Sequence, residues 1–155
     1  MNESMKEHEA DIASAFPAVT LHPATFTSAN LWSAYTNDKS FEHATDGRTW
    51  RELSLDVVEA HAAALGYMNP DAFIAVLPAY LVALANADNE LPAFVLGELT
   101  RKHDFRDAFD ARVERMTPPQ RSAVARLLAH LATTTPFADH YGAQLETARA
   151  SWQVG

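Results

Sequence analysis

The side chains that could do chemistry in this chain form no known catalytic or metal-binding pattern. Seven histidines are present, but none forms a His-x-x-x-His pair or a His-Glu-x-x-His sequence. Cysteine is absent, which excludes thiolate metal sites, disulfide bonds and a thiol nucleophile. With five glycines there is no Gly-x-Ser-x-Gly elbow and no glycine-rich phosphate loop. The sequence therefore predicts no catalytic residue, no metal ligand and no cofactor, and we expect a protein that is not an enzyme.

One group of carboxylates has a spacing that could serve a metal or a basic partner. Its members recur every three or four residues: Asp104, Asp107, Asp110 and Glu114. Such spacing places them on one face of a helix. The simpler interpretation is the solvated side of an amphipathic helix, because Phe105, Phe109 and Val113 would form an apolar row on the other side. We expect the simpler interpretation to hold.

Charge is distributed unevenly along the chain. Between Glu52 and Thr100 there are seven carboxylates and no Lys or Arg. Up to Glu98 fourteen acids face four bases, whereas the rest has six acids and eight bases, so the net charge of −8 lies in the first two thirds. Nucleic-acid binding needs clustered Lys and Arg, so this distribution argues against it. A protein partner with a basic surface is expected instead.

The acidic part also contains the segment that looks most accessible. Asn37–Thr49 is polar, contains Gly47 and is predicted to be a loop. Trp50 follows it, and tryptophan is enriched at protein interfaces. The sequence thus favours a non-enzymatic acidic protein-binding domain, in its most concrete form an immunity or antitoxin-like protein that occludes a basic cleft. The predicted contact residues are Glu42, Asp46, Trp50, Glu52, Asp56 and Glu59.

Helical periodicity dominates the chain, and no segment alternates with the two-residue period of a strand. We predict an all-α fold: a compact single-domain bundle of about seven or eight helices around a central kinked apolar helix at about residues 70–86. The domain would span residues 1–155, with its core at about 16–152 and residues 1–15 as an N-terminal helix or a partly flexible segment. Further helices are predicted over Met5–Phe16, Ala24–Thr36, Glu90–Thr100, Asp104–Arg115 and Phe137–Trp152.

Specific residues mark where several helices begin, bend and end. Ser54 is a good N-cap for a helix that should stop at Gly66 in a left-handed conformation. Pro70 suits the first turn of the central helix, and Pro78 should kink that helix because it cannot donate a backbone hydrogen bond. Thr117-Pro118-Pro119-Gln120 has the form of a capping box.

The order of several short motifs resembles a family of small uncharacterised bacterial domains. These motifs are Trp50-Arg51-Glu52-Leu53, Pro70-Asp71-Ala72-Phe73, Leu77-Pro78-Ala79-Tyr80-Leu81 and Gln120-Arg121-Ser122-Ala123-Val124. They match a Trp-x-x-Leu, Pro-(Asp/Glu)-Ala-Phe, Leu-Pro-Ala-Tyr-Leu and Gln-Arg-x-Ala-Val layout over roughly residues 16–152. The resemblance implies no activity, cofactor or catalytic residue, because none is established for the family.

Two other function classes stay open at this point. One is a metal-binding or hydrolytic enzyme whose site is assembled across helices, and the other is a structural or regulatory homo-oligomer. The longest uncharged run, Ala72–Ala87, has sixteen residues, fewer than the roughly twenty that span a bilayer. The first residues lack the basic start and apolar run of a secretory signal, so a cytoplasmic location and no membrane partner are expected. The oligomeric state is not predicted.

Overall fold

A computed structural model describes residues 3–21, 40–68, 70–84, 91–134 and 137–152, without the side chains of residues 3–5, 40, 42, 63 and 67. Eight α-helices lie in these ranges, and no strand does. They are α1 (Glu3–Ala15), α2 (Ser40–Thr45), α3 (Leu55–Ala60), α4 (Pro70–Leu84), α5 (Leu91–Glu98), α6 (Arg106–Arg115), α7 (Pro118–Leu131) and α8 (Phe137–Ser151). Three 3-10 turns complete them: Trp50–Glu52, Ala62–Tyr67 and His103–Phe105. The predicted all-α class is confirmed.

Helix α4 is the centre of the bundle, as predicted. It contacts α1, α3, α5, α6 and the first two 3-10 turns, and ten of its fifteen residues are buried. Asp71 is its one charged residue, so apolar groups face every neighbouring element. Pro78 lies inside the helix; the bend expected there stays a prediction. The Tyr80 hydroxyl donates to the carbonyl oxygen of His61 at 2.8 Å and so ties α4 to the end of α3.

The outer helices close the core around α4. Helix α1 packs on α7 and buries Ile12, with Phe16 just after its end, while α8 packs on α5 and α7. Burial of these aliphatic and aromatic side chains is the main stabilising term of the bundle. In the described part of the chain, no helix is both long enough and apolar enough to cross a membrane.

Two of the predicted helix caps are confirmed. Ser54 Oγ accepts a hydrogen bond from the amide of Val57 at 3.2 Å. At the start of α7 the Thr117 hydroxyl accepts from the Gln120 amide at 3.3 Å, and the Gln120 side chain accepts from the Thr117 amide at 2.9 Å. Each cap satisfies a backbone donor that the first helical turn leaves without an intrahelical partner.

Three local predictions were wrong. The predicted loop Asn37–Thr49 contains helix α2, and the turn after it is fastened to Leu21, whose amide donates to Arg48 and whose carbonyl accepts from Gly47. The helix expected from Ser54 to Gly66 is interrupted at His61 (φ −122°, ψ 37°) and continues as a 3-10 turn. Gly66 lacks a left-handed conformation; Gly47 has one, with φ 76°.

One prediction at the start of a helix was also wrong, whereas the predicted helix Phe137–Trp152 is confirmed as α8. Helix α6 begins at Arg106 rather than at Asp104, and Phe105 lies in the 3-10 turn before it. Phe105 is therefore 67% exposed instead of joining the apolar row. Helix α8 contains a break in helical geometry at Tyr141 (φ −120°, ψ 19°) that the sequence did not indicate. The predicted helix Ala24–Thr36 lies outside the described residues.

Candidate functional site

The tertiary fold brings the acidic and the arginine-rich parts of the chain together. Three carboxylates of the first two thirds form ion pairs with arginines of the last third: Asp11 with Arg126 (2.7 Å), Asp71 with Arg115 (3.0 Å) and Glu98 with Arg112 (2.9 Å). Hydrogen bonding to Asp11 raises the pKa of Arg126. These pairs neutralise part of the negative charge, so the electrostatic field depends on the carboxylates left outside them.

The acidic residues predicted to contact a partner follow one another along a short stretch after α2. Asp46, Glu52 and Asp56 are exposed, and Glu59 is half-buried. Glu52 caps its own 3-10 turn by accepting from the Thr49 amide at 2.9 Å. Among the described residues, neither Glu52 nor Asp56 forms an ion pair. Glu42 lies in α2, and its side chain is outside the described part.

Trp50 has a structural position that leaves little of it for a partner. Only 6% of the residue is exposed, and its indole Nε1 donates to the carbonyl oxygen of Phe16 at 3.3 Å. The neighbouring Arg51 donates to the carbonyl oxygen of Ala13 at 3.0 Å, with its guanidinium carbon 5.4 Å from the Trp50 ring centre. Trp50 and Arg51 thus fasten this segment to the end of α1, and Trp50 contributes little to the exposed surface there.

The acidic stretch borders a shallow apolar depression of about 160 Å³ between α3 and α4. We call it the acid-fringed depression, and its lining residues are Leu53, Leu55, Val58, Ala79, Val82 and Ala83. Three of these residues are chain neighbours of carboxylates, in the pairs Glu52-Leu53, Leu55-Asp56 and Val58-Glu59. Leu55 is 37% exposed, the most exposed of the residues that line the depression. Apolar lining residues and carboxylates are therefore interspersed along the segment that forms one wall of the depression.

A larger cleft of about 350 Å³ lies elsewhere on the molecule, and we call it the Arg112 cleft. Its lining residues come from α5, α6 and the turns beside them: Gly66, Phe94, Gly97, Glu98, Thr100, Lys102, Phe105, Ala108, Phe109 and Arg112. Phe94 is 42% exposed and Phe105 is 67% exposed. Phe109 is buried and packs edge-on against Trp152, with ring centres 5.6 Å apart. The cleft is thus aromatic at its mouth and on one wall.

The Arg112 side chain closes the inner end of this cleft. Its Nη1 donates to Glu98 at 2.9 Å, and its Nη2 donates to the carbonyl oxygens of Gly66 and Met68 at 3.1 and 3.2 Å. The guanidinium also lies over the Phe73 ring, 4.3 Å from its centre. Gly66 leaves room for the Glu98 carboxylate, because a Cβ there would lie 2.8 Å from Glu98 Oε1. Arg112 is therefore a fixed structural cation with most of its donors in use.

Lys102 is the remaining charged group that lines the cleft. Its Nζ lies 3.3 Å from the position that a Cβ on Gly97 would take, so the ammonium rests against the α5 wall. Within the described ranges Lys102 forms no hydrogen bond and no ion pair. On the outer face of α6, Arg101 and Asp110 pair at 2.8 Å, which lowers the pKa of the Asp110 carboxyl and raises that of Arg101.

The histidines and carboxylates do not gather into a metal site in the part of the chain that the structure describes, where no three of them converge. His8 and His130 stack with ring centres 4.6 Å apart. Burial, and then the neighbouring His130, lower the pKa of His8. The carboxylates Asp104, Asp107, Asp110 and Glu114 are all exposed, in keeping with the solvated-face interpretation.

The sequence analysis missed the Arg112 cleft entirely. Its walls come from residues up to 46 positions apart, such as Gly66 and Arg112, and no local pattern links them. One signal was present: Phe105 follows Arg101-Lys102-His103-Asp104, and an aromatic residue in a charged segment at a helix start is a candidate for exposure. The assumption of a continuous helix from Asp104 assigned it to the core instead.

Comparison with curated proteins gave no match, and neither did comparison with solved structures. One family model does match, over residues 4–154, which include every residue of both surfaces described above. The chain therefore belongs to a family of unknown function, DUF6714.

Proposed function

We propose that this protein is a non-enzymatic binding domain that uses the acid-fringed depression to hold a protein partner with a basic surface. The observation that carries the proposal is the alternation of apolar and acidic residues along Glu52–Glu59, beside apolar residues of α4. Protein interfaces commonly combine an apolar centre with a polar rim. The depression supplies such a centre, and Glu52 and Asp56 supply an anionic rim.

Each part of this face would have a distinct physical role. Leu55 is the apolar side chain that stands furthest into solvent there, so it would be covered by the partner and slow dissociation. Glu52 and Asp56 would accelerate encounter with a cationic surface, because exposed charges act mainly on the association rate. Ion pairing elsewhere supports this division, since Asp11, Asp71 and Glu98 already have arginine partners.

The most concrete form of the proposal is an immunity or antitoxin-like protein in the cytoplasm. Carboxylates at the rim would occupy the place of an anionic substrate in the basic cleft of the partner. Co-expression with the product of a neighbouring toxin-like gene tests this form: wild-type protein should restore growth, and the Glu52→Lys/Asp56→Lys double variant should not. Equal rescue by both proteins would contradict it.

A direct test of the face uses a photo-crosslinking residue in place of Leu55 to capture the partner in cells. The purified partner is then measured against wild type, the Glu52→Lys/Asp56→Lys variant and a Glu114→Lys control, whose exposed carboxylate lies on α6. We expect the double reversal to lower the association rate about tenfold or more, and added salt to lower the wild-type rate similarly. The control should stay close to wild type. Unchanged binding by the double variant would overturn the proposal.

The two other function classes have their own measurements. Stoichiometric metal in the purified protein would favour a metal site assembled across helices. Concentration-dependent sedimentation in analytical ultracentrifugation would favour a homo-oligomer. A protein without stoichiometric metal that binds its partner through Leu55 is the outcome expected here.

A further inference from the structure

The Arg112 cleft has a floor that is already organised before any ligand arrives. Arg112 is 7% exposed and is held by the Glu98 carboxylate and by the backbone carbonyl oxygens of Gly66, in the second 3-10 turn, and of Met68 just after it. These contacts join α5, α6 and the backbone at the end of the second 3-10 turn, and they form at the floor of the cleft without a ligand. A preformed cleft binds at a lower entropic cost than one that must open.

The mouth of the cleft exposes aromatic surface. Four large apolar side chains are exposed in the described residues, and two of them, Phe94 and Phe105, line this cleft. Exposed phenylalanines at a mouth are suited to an interface wider than the cleft itself. The volume of about 350 Å³ lies near the lower limit of ligand pockets and suits one or two side chains better than a large cofactor. Both features favour a peptide segment as the occupant.

The charge of the lining selects the chemistry of that segment. Three lining residues carry charge: Glu98, Lys102 and Arg112. Glu98 and Arg112 satisfy one another, whereas Lys102 has no partner within the described ranges. As far as the structure describes the chain, the cleft therefore presents one ammonium without an ion pair, that of Lys102, beside aromatic side chains. A carboxylate is the complementary group, and an apolar side chain fills the aromatic part.

We propose that the Arg112 cleft binds a peptide segment of a partner protein in which an aromatic or large aliphatic side chain stands next to a carboxylate. Lys102 pairs with the carboxylate, and Phe94, Phe105 and Phe109 surround the apolar side chain. The carboxylate is supplied either by an Asp or Glu side chain or by the C-terminus of the partner. This proposal is independent of the acid-fringed depression, which attracts the opposite charge.

The test uses three sets of short N-acetylated peptides, each set containing a Phe, a Leu and a Trp version. Peptides of the first set end in Asp followed by the apolar residue and have an amidated C-terminus, so their carboxylate is the Asp side chain. The second set has Asn in place of Asp and is neutral. The third set has Asn before the apolar residue and a free C-terminus, so its carboxylate is the C-terminal one. Backbone NMR shifts of Gly66, Gly97 and Thr100 in the full chain report binding. We expect saturable shifts with at least one carboxylate set, and about tenfold or more weaker binding for the neutral set.

Two matched pairs of variants locate the contact. Lys102→Ala should weaken the tighter carboxylate set about tenfold, whereas Lys6→Ala, at an exposed lysine on α1, should not. Phe105→Ala should weaken it about tenfold, whereas Leu55→Ala in the other surface should not. All four side chains are exposed, and thermal unfolding of each variant verifies that it is folded.

Each outcome bears on the proposal in one direction. The first and third peptide sets distinguish a side-chain carboxylate from a C-terminal one, and either result supports it. If the neutral set binds as tightly as the carboxylate sets, or if Lys102→Ala leaves the affinity unchanged, the cleft does not recognise a carboxylate and the proposal is overturned. Equal losses with Leu55→Ala and Phe105→Ala would place the peptide elsewhere. If no peptide shifts the three amides, the cleft is not a site for such segments.

Discussion

The acid-fringed depression and the Arg112 cleft are built in opposite ways. The depression takes half of its lining from one stretch, Leu53–Val58, and its neighbouring carboxylates lie in the same stretch. The cleft is assembled from distant segments, and its floor depends on a buried arginine that reaches across to α5 and to the second 3-10 turn. The first surface can therefore be altered residue by residue, whereas the second is coupled to the stability of the fold.

The two surfaces also present opposite charge. Within the described residues, Glu52 and Asp56 beside the depression form no ion pair, and neither does Lys102 in the lining of the cleft. Other carboxylates and arginines neutralise one another in ion pairs, such as that of Asp71 with Arg115. The two proposed binding surfaces are distinguished by the charges that the described ion pairs leave uncompensated, rather than by the total charge of a segment.

The largest effect on stability is expected from a substitution at the floor of the cleft. Arg112→Ala should lower the free energy of unfolding by about 3 kcal/mol, because it leaves a partly buried carboxylate and several carbonyl oxygens without their donor. This loss lies at the lower end of the range for breaking a buried ion pair, because the Glu98 side chain is 33% exposed. Urea unfolding followed by circular dichroism measures the change.

The matched control for that experiment is Arg115→Ala. The ion pair of Arg115 with Asp71 is solvated, with 61% of the Arg115 side chain and 68% of the Asp71 side chain exposed. The free energy of unfolding should therefore fall by less than about 1 kcal/mol. Equal losses in the two variants would show that the floor of the cleft is not structurally special.

An intermediate effect is expected on the side of the depression. Tyr80→Phe removes the hydroxyl that donates to His61 and joins α4 to the end of α3, the two helices that line the depression. Because Tyr80 is fully buried, the loss should be about 1–2 kcal/mol. If the variant exchanges amide hydrogens faster than wild type in α3 but not in α6, the effect is local. Uniformly faster exchange would contradict that.

The smallest expected effect is a pH dependence away from both surfaces, at His8. Its pKa lies below the ordinary value of 6.5, first because of burial and then because of His130, so the native state binds fewer protons than the unfolded one. Stability should therefore fall as the pH drops below 6.5 and level off below the folded-state pKa. His8→Gln should reduce this dependence, and His130→Gln should reduce it in part. An unchanged pH profile in His8→Gln would contradict the assignment.

Much of the fold follows from local rules. Ser54 and Thr117 cap helices as their side chains predict, because a hydroxyl near free backbone donors has one favourable use. The run from Ala72 to Leu84 is central because it has no charge to place in solvent. The errors fell where two conformations compete locally, as at His61 and Phe105, and tertiary contacts select one of them.

The two candidate surfaces also differ in how far the sequence could predict them. The acidic stretch after α2 was found from composition, but Trp50 turned out to be an anchor, because only the packed structure shows that its indole reaches Phe16. The cleft was not found at all, since Arg112, Glu98 and Gly66 acquire their relation through packing.

The amino-acid sequence by itself determined the helical class, the central apolar helix, the capped helix starts and the excess of acid, because each depends on neighbours a few residues apart. Only the tertiary structure decided which charges neutralise one another, which aromatic side chains are buried and where the two proposed binding surfaces lie. The physical reason is that ion pairing and burial depend on distances in space, and contacts such as Arg126 with Asp11 join residues that are far apart in the chain.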